Sequence, residues 1–113
     1  SWFMDQCLGW RGVCAEPNPA LARKIRNSVR TCTVYNGCVS DKPGELFLQG
    51  YSGMSVVGEV SAKSTQKDAI RVPCASVQEL TTEHQYTHVD FASIDVERHE
   101  LFVLAGWPAR VPV

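Results

Sequence analysis

The chain has 113 residues, 44% hydrophobic and 20% charged, with 11 Lys and Arg against 12 Asp and Glu, the size and mixture of one globular unit rather than two. A net charge of −1 with the signs interspersed excludes the basic field that non-specific nucleic-acid binding needs, so no nucleic acid is expected as a partner. No run reaches the roughly 18 apolar residues of a membrane span, and the first residues lack a basic segment leading into an apolar signal core.

Residues 1–8 read as the tail of a helix, with Gly9 where a left-handed C-terminal residue is wanted. Residues 12–16 read as a strand that Pro17 stops. Asn18 then offers an N-cap acceptor and Pro19 suits the first helical position, which predicts a helix over 19–29. Its apolar stripe is Leu21, Ile25 and Val29, with Arg23, Lys24, Arg26 and Arg30 on a solvated face. Residues 32–39 carry β preference in Val34, Tyr35 and Val39, and Gly37 marks a bulge in that strand.

Asp41-Lys42-Pro43-Gly44 predicts a turn into a short strand over 45–48. A Gly/Ser stretch over 50–55, with Met54 as a gap-filler, leads to Val56 and Val57, and 61–68 is polar and loop-like. Residues 70–74 form one more extended piece. Ser76 followed by Glu79 is a capping-box pattern that opens a helix to residue 83. VDFASID at 89–95 suits an interior parallel strand ending in an acid, and a helix over 97–105 stops at Gly106. The alternation of strands and helices predicts an α/β fold, with a mostly parallel sheet and flanking helices.

The five cysteines are odd in number and show no CxxC spacing, so neither a closed disulfide framework nor a zinc knuckle is indicated and no metal is assigned. They read as buried free thiols, which favours a reducing, cytoplasmic compartment. Ser1 opens in mid-element and residues 110–113 begin a strand that stops, so both ends read as cut.

Two acids stand at the carboxyl ends of expected strands, Glu16 and Asp95, where α/β sheets hold their ligands. A carboxylate has two acceptor oxygens that match the two hydroxyls of a ribose, which makes Glu16 the candidate cofactor residue. His99, alone beside a helix start, reads as a surface residue, and Trp10 and Trp107 as indoles covering helix ends.

LGWRGVCAEPNP at 8–19, RTCTVYNGCVSD at 30–41 and FASIDVERHELFVLAGW at 91–107, in this order and spacing, resemble the FkbM family of S-adenosylmethionine-dependent methyltransferases. The resemblance implies a Rossmann-like fold, a cofactor ribose held by Glu16, and an acceptor region around Asp95 and Glu97. These two would orient or deprotonate a hydroxyl or amine of a small molecule or sugar; otherwise Glu97 and Glu100 serve as acids at the start of the following helix. The family has a strand and a glycine-containing loop ahead of the first helix. Both are missing from these residues, so the expectation is a partial domain, 1–113, inactive by itself, whose cofactor chemistry belongs to the intact protein. It also usually has Gly after the DVE acids, a residue suited to close approach or positive φ, where this chain has Arg98. The other reading these departures leave open is a non-catalytic Rossmann-like remnant that serves as an interaction module and binds no cofactor.

Overall fold

The computed structural model describes residues 2–49, 59–63 and 69–111. In chain order the elements are α1 (Trp2–Leu8), β1 (Val13–Ala15), α2 (Pro19–Arg26), β2 (Thr33–Tyr35), β3 (Cys38–Ser40), β4 (Gly44–Gln49), β5 (Glu59–Ser61), β6 (Ile70–Ser76), α3 (Val77–Glu83) and α4 (Glu100–Ala105). The expected features at residues 50–57 and 64–68, Met54 included, lie outside the described residues.

Local signals hold where their hydrogen bonds close over a few residues. Gly9 takes φ 65° at the end of α1, a conformation that costs glycine little. Asn18 caps α2, its Oδ1 accepting from the amides of Ala20 at 3.0 Å and Leu21 at 3.4 Å. Ser76 and Glu79 form the reciprocal capping box at the start of α3. The end of α2 comes earlier than the apolar stripe implies. Asn27 is its C-cap, and the Ser28 hydroxyl takes the Ile25 carbonyl at 2.6 Å, a side-chain bond that competes with the helix ladder. Val29 therefore falls beyond the helix and is exposed, while Ala22 is the fully buried residue of α2.

The expected strand over 32–39 is two strands in two sheets. β2 pairs in parallel with β1, and β3 pairs in parallel with β6. Gly37 is the joint between them rather than a bulge. A Cβ there would lie 2.6 Å from both the Pro73 carbonyl oxygen and the Tyr35 ring, so only glycine lets the chain pass.

The fold is α/β, but the larger sheet is mixed, in the order β3-β6-β4-β5, which corrects the expectation of a mostly parallel one. β3 and β4 are joined by a short link over 41–43, and a short link reverses direction. Because β6 lies between them, parallel to β3, it must run against β4. Its core is Cys38, Leu48, Val60, Val72 and Cys74, with Leu46 and Ile70 packed on it. Val77 and Leu80 of α3 and Val103 of α4 are buried.

The run 89–95 forms no strand. An interior parallel strand must be apolar on both faces, whereas alternation puts Ser93 and Asp95 on one face and Asp90 on the other, and Phe91 is half-exposed. The helix after it starts at Glu100, not at residue 97, because Glu97 and Arg98 hold φ values of 49° and 71°, which a right-handed helix excludes.

Four of the five cysteines are bridged, Cys14 to Cys32 and Cys38 to Cys74, leaving Cys7 free and exposed. This overturns the reading as free thiols. Odd number and absent CxxC describe spacing along the chain, whereas Cys38 and Cys74 are direct partners in the β3–β6 register, and Cys14 and Cys32 have Cα atoms 5.8 Å apart across β1 and the entry to β2, within normal bridging reach. No described helix is long and apolar enough to cross a membrane.

Candidate functional site

Glu16 follows β1, and its amide continues the ladder by donating to the Tyr35 carbonyl at 2.9 Å. Pro17 has no amide to extend the strand further, so the chain turns here. The turn closes on itself, with the Asn18 amide donating to Glu16 Oε1 at 2.9 Å. It is also held from the neighbouring strand. Asn36, one residue past β2, donates from Nδ2 to the Glu16 carbonyl at 2.9 Å and to the Pro17 carbonyl at 3.2 Å. Asn36 therefore fixes the backbone that carries the carboxylate, while Asn18 fixes the carboxylate itself. Sequence reasoning missed Asn36; the available signal was an Asn directly after a β-rich run, where an amide can extend a ladder that the backbone no longer continues.

A ribose asks for acceptors toward two vicinal hydroxyls. Glu16 Oε2 has no protein partner among the described residues, and Oε1 keeps a second lone pair beside the Asn18 amide. The acceptor set at the end of β1 thus fits the ribose of the cofactor that the resemblance implies.

Asp95 and Glu97 are both exposed. Asp95 ends an irregular segment rather than a strand, which removes the premise on which it was placed at a sheet edge. Glu97 and Arg98 are the central residues of a turn in which the His99 amide donates to the Val96 carbonyl at 3.3 Å. Positive φ at both central residues with that bond is the pattern of a type I′ turn, which Asn and Gly suit and Glu and Arg do not. Glu100, not Glu97, is the acid in the first turn of α4, and its Oε1 accepts from the Val96 amide of the preceding turn at 3.4 Å. No hydrogen bond or ion pair among the described residues joins Glu16 to Asp95 or Glu97. Two surface hollows, one lined by Pro43, Ser76 and Glu79 and the other by Thr81, Tyr86 and Arg110, include none of the three acids.

His99 is buried, contrary to its reading as a surface residue. Its ring stacks on Phe102 at 4.5 Å, and Nε2 lies 2.9 Å from Ser40 Oγ. The Ser40 hydroxyl donates a hydrogen bond to Asp41 Oδ1 at 3.0 Å; with that hydrogen so used, its oxygen accepts from the imidazole in the tautomer that carries the ring proton on Nε2. Burial pushes the His99 pKa below the usual histidine value, against the pull of the Asp41 and Glu100 carboxylates, so the neutral ring is favoured. Trp10 remains exposed. Trp107 closes the end of the described chain, donating from Nε1 to the Val111 carbonyl at 2.7 Å.

Asp5 anchors α1 to the entry of β2. It accepts from the Thr31 hydroxyl and amide and from Arg30 Nε at 2.7 Å. These bonds, the Thr31 hydroxyl foremost, hold its carboxyl down to about 2.

The model of the methyltransferase FkbM domain matches residues 2–111, and the chain belongs to that family. No curated protein and no solved structure matches it.

Proposed function

We propose that the chain supplies the ribose-binding edge and the acceptor-side acids of a Rossmann-like, S-adenosylmethionine-dependent methyltransferase that acts on an oxygen or nitrogen of a small molecule or sugar. Membership of the FkbM methyltransferase domain family supports methyl transfer. The observation that carries the cofactor reading is Glu16 at the carboxyl end of a parallel strand, its carboxylate held by the Asn18 amide and its backbone carbonyl by Asn36, with Oε2 unpartnered among the described residues. When bound, the cofactor supplies a methyl group on a sulfonium centre.

Glu16 accepts from the ribose hydroxyls, and Asn36 keeps its backbone from moving when they bind. Holding the ribose orders the cofactor relative to the sheet, and in a displacement that needs in-line approach this positioning is a large part of catalysis. Asp95 and Glu97 take the acceptor side, where a carboxylate orients a hydroxyl or amine and removes its proton as the new bond forms. With Cys14–Cys32 and Cys38–Cys74 bridged, the thiol argument for the cytoplasm loses its premise, and an oxidising compartment is the one the cysteines favour.

The test is calorimetric titration of the intact protein with S-adenosylhomocysteine. Glu16→Ala is expected to cost roughly 1.5–3 kcal/mol of affinity, the range for hydrogen bonds to a charged group. Unchanged affinity in a folded variant removes Glu16 from the site.

A further inference from the structure

Asp95 and Glu97 lie on a segment without a ladder, and Glu97 and Arg98 occupy a turn that residues with a Cβ adopt reluctantly. What holds such a segment must come from outside it, and the helix that follows it, α4, meets Ser40 and Asp41 at the end of β3 with both of its ends. On one side is the bond of 2.9 Å between His99 Nε2 and Ser40 Oγ, which spans 59 positions of sequence. On the other, at the far end of α4, a Cβ on Gly106 would come within 2.5 Å of the Ser40 carbonyl oxygen. Both ends of this short helix therefore press on the same two residues.

His99 is only 9% exposed, so water competes weakly for its bond, and the stack on Phe102 fixes the ring plane. The arrangement is not a nucleophilic triad. There the histidine stands between acid and serine and takes the hydroxyl proton, whereas here Ser40 stands in the middle and donates a hydrogen bond to Asp41.

We propose that His99 is a positioning residue for the acidic segment. Its hydrogen bond to Ser40 pins the turn over 96–99 to the end of β3 and so fixes where Glu97 and Asp95 stand relative to the sheet. The purpose of this holding rests on the acceptor role proposed for the two acids, but the holding itself belongs to the free protein and is measured without cofactor or acceptor.

The experiment compares amide hydrogen exchange over 96–99 in the unsubstituted protein, His99→Phe and His99→Gln. His99→Phe keeps a ring for the stack and loses the donor; His99→Gln returns an N–H donor near the place of Nε2. Exchange in the turn is expected to rise about five- to tenfold in His99→Phe, the effect of losing one ordinary hydrogen bond, and to return close to the original rate in His99→Gln. Ser40→Ala removes the other partner and is expected to reproduce the rise, which keeps the test open if His99→Phe fails to fold. A second arm repeats the comparison in an Arg98→Gly background, where a relaxed turn needs less holding, and the rise is expected to shrink to less than about twofold. Equal exchange with and without the donor, or the same rise in both backgrounds, overturns the proposal and leaves His99 as core filling. So does an imidazole nitrogen spectrum that places the neutral proton on Nδ1.

Discussion

Arg98 holds φ 71° immediately after Glu97 at 49°. The left-handed region brings Cβ against the following carbonyl oxygen, at a cost of roughly 1–2 kcal/mol for an L-residue, part of which glycine returns through its larger loss of freedom on folding. Arg98→Gly is accordingly expected to stabilise the fold by about 1 kcal/mol and to raise the melting midpoint by several degrees. A lower midpoint would show that the arginine side chain contributes more than its backbone costs. At the same scale, Asn36 and His99 show what a sequence conceals. Both act on residues brought near only by folding, Asn36 on a carbonyl 20 positions away and His99 on a hydroxyl 59 positions away. For Asn36 the one local sign is its place directly after a β-rich run, and the neighbours of His99 carry none.

Elements were legible in proportion to how locally they are decided. The cap of α2 by Asn18 and the capping box of α3 close within three residues, and both stand where the sequence puts them. Residues 89–95 had β-preferring side chains, but a strand exists only if another strand accepts its ladder, and no described strand does. Gly37 was visible as an interruption; that the interruption separates two sheets depends on Pro73, which lies across from it. The segment that remains, irregular and carrying Asp95 and Glu97 in the open, suits groups that meet an acceptor better than groups that hold a cofactor. Asp95→Asn and Glu97→Gln should therefore lower turnover much more than they lower affinity for S-adenosylhomocysteine, because interactions made mainly in the transition state leave ground-state binding alone. Full turnover in both variants would remove them from the acceptor side.

At the scale of the fold, the two sheets among the described residues are small, and the buried cluster of the larger one rests there on few side chains. Each sheet is also closed by one covalent bridge, Cys14–Cys32 in the first and Cys38–Cys74 in the second. Closing loops of 18 and 36 residues is worth about 3 and about 4 kcal/mol respectively by the chain-entropy argument, a large share of the roughly 5–15 kcal/mol that stabilises a domain. Reduction is therefore expected to lower the melting transition sharply, and thiol titration of the unfolded, unreduced protein to count Cys7 alone. An unchanged transition under reductant would show that the bridges add little. The order of the strands was the least legible feature at this scale, since the insertion of β6 between β3 and β4 joins segments that no local pattern relates.

The central claim is the location of the cofactor at the end of β1, and amide chemical-shift mapping of the intact protein with S-adenosylhomocysteine tests it most directly. The account predicts that the largest shifts fall on the amides of Glu16, Asn18 and Ala20 and on the Asn36 side-chain amide, and that Glu16→Gln diminishes them. Shifts centred instead on Ser76, Glu79 and Thr82, or no shifts at saturating ligand, would contradict it.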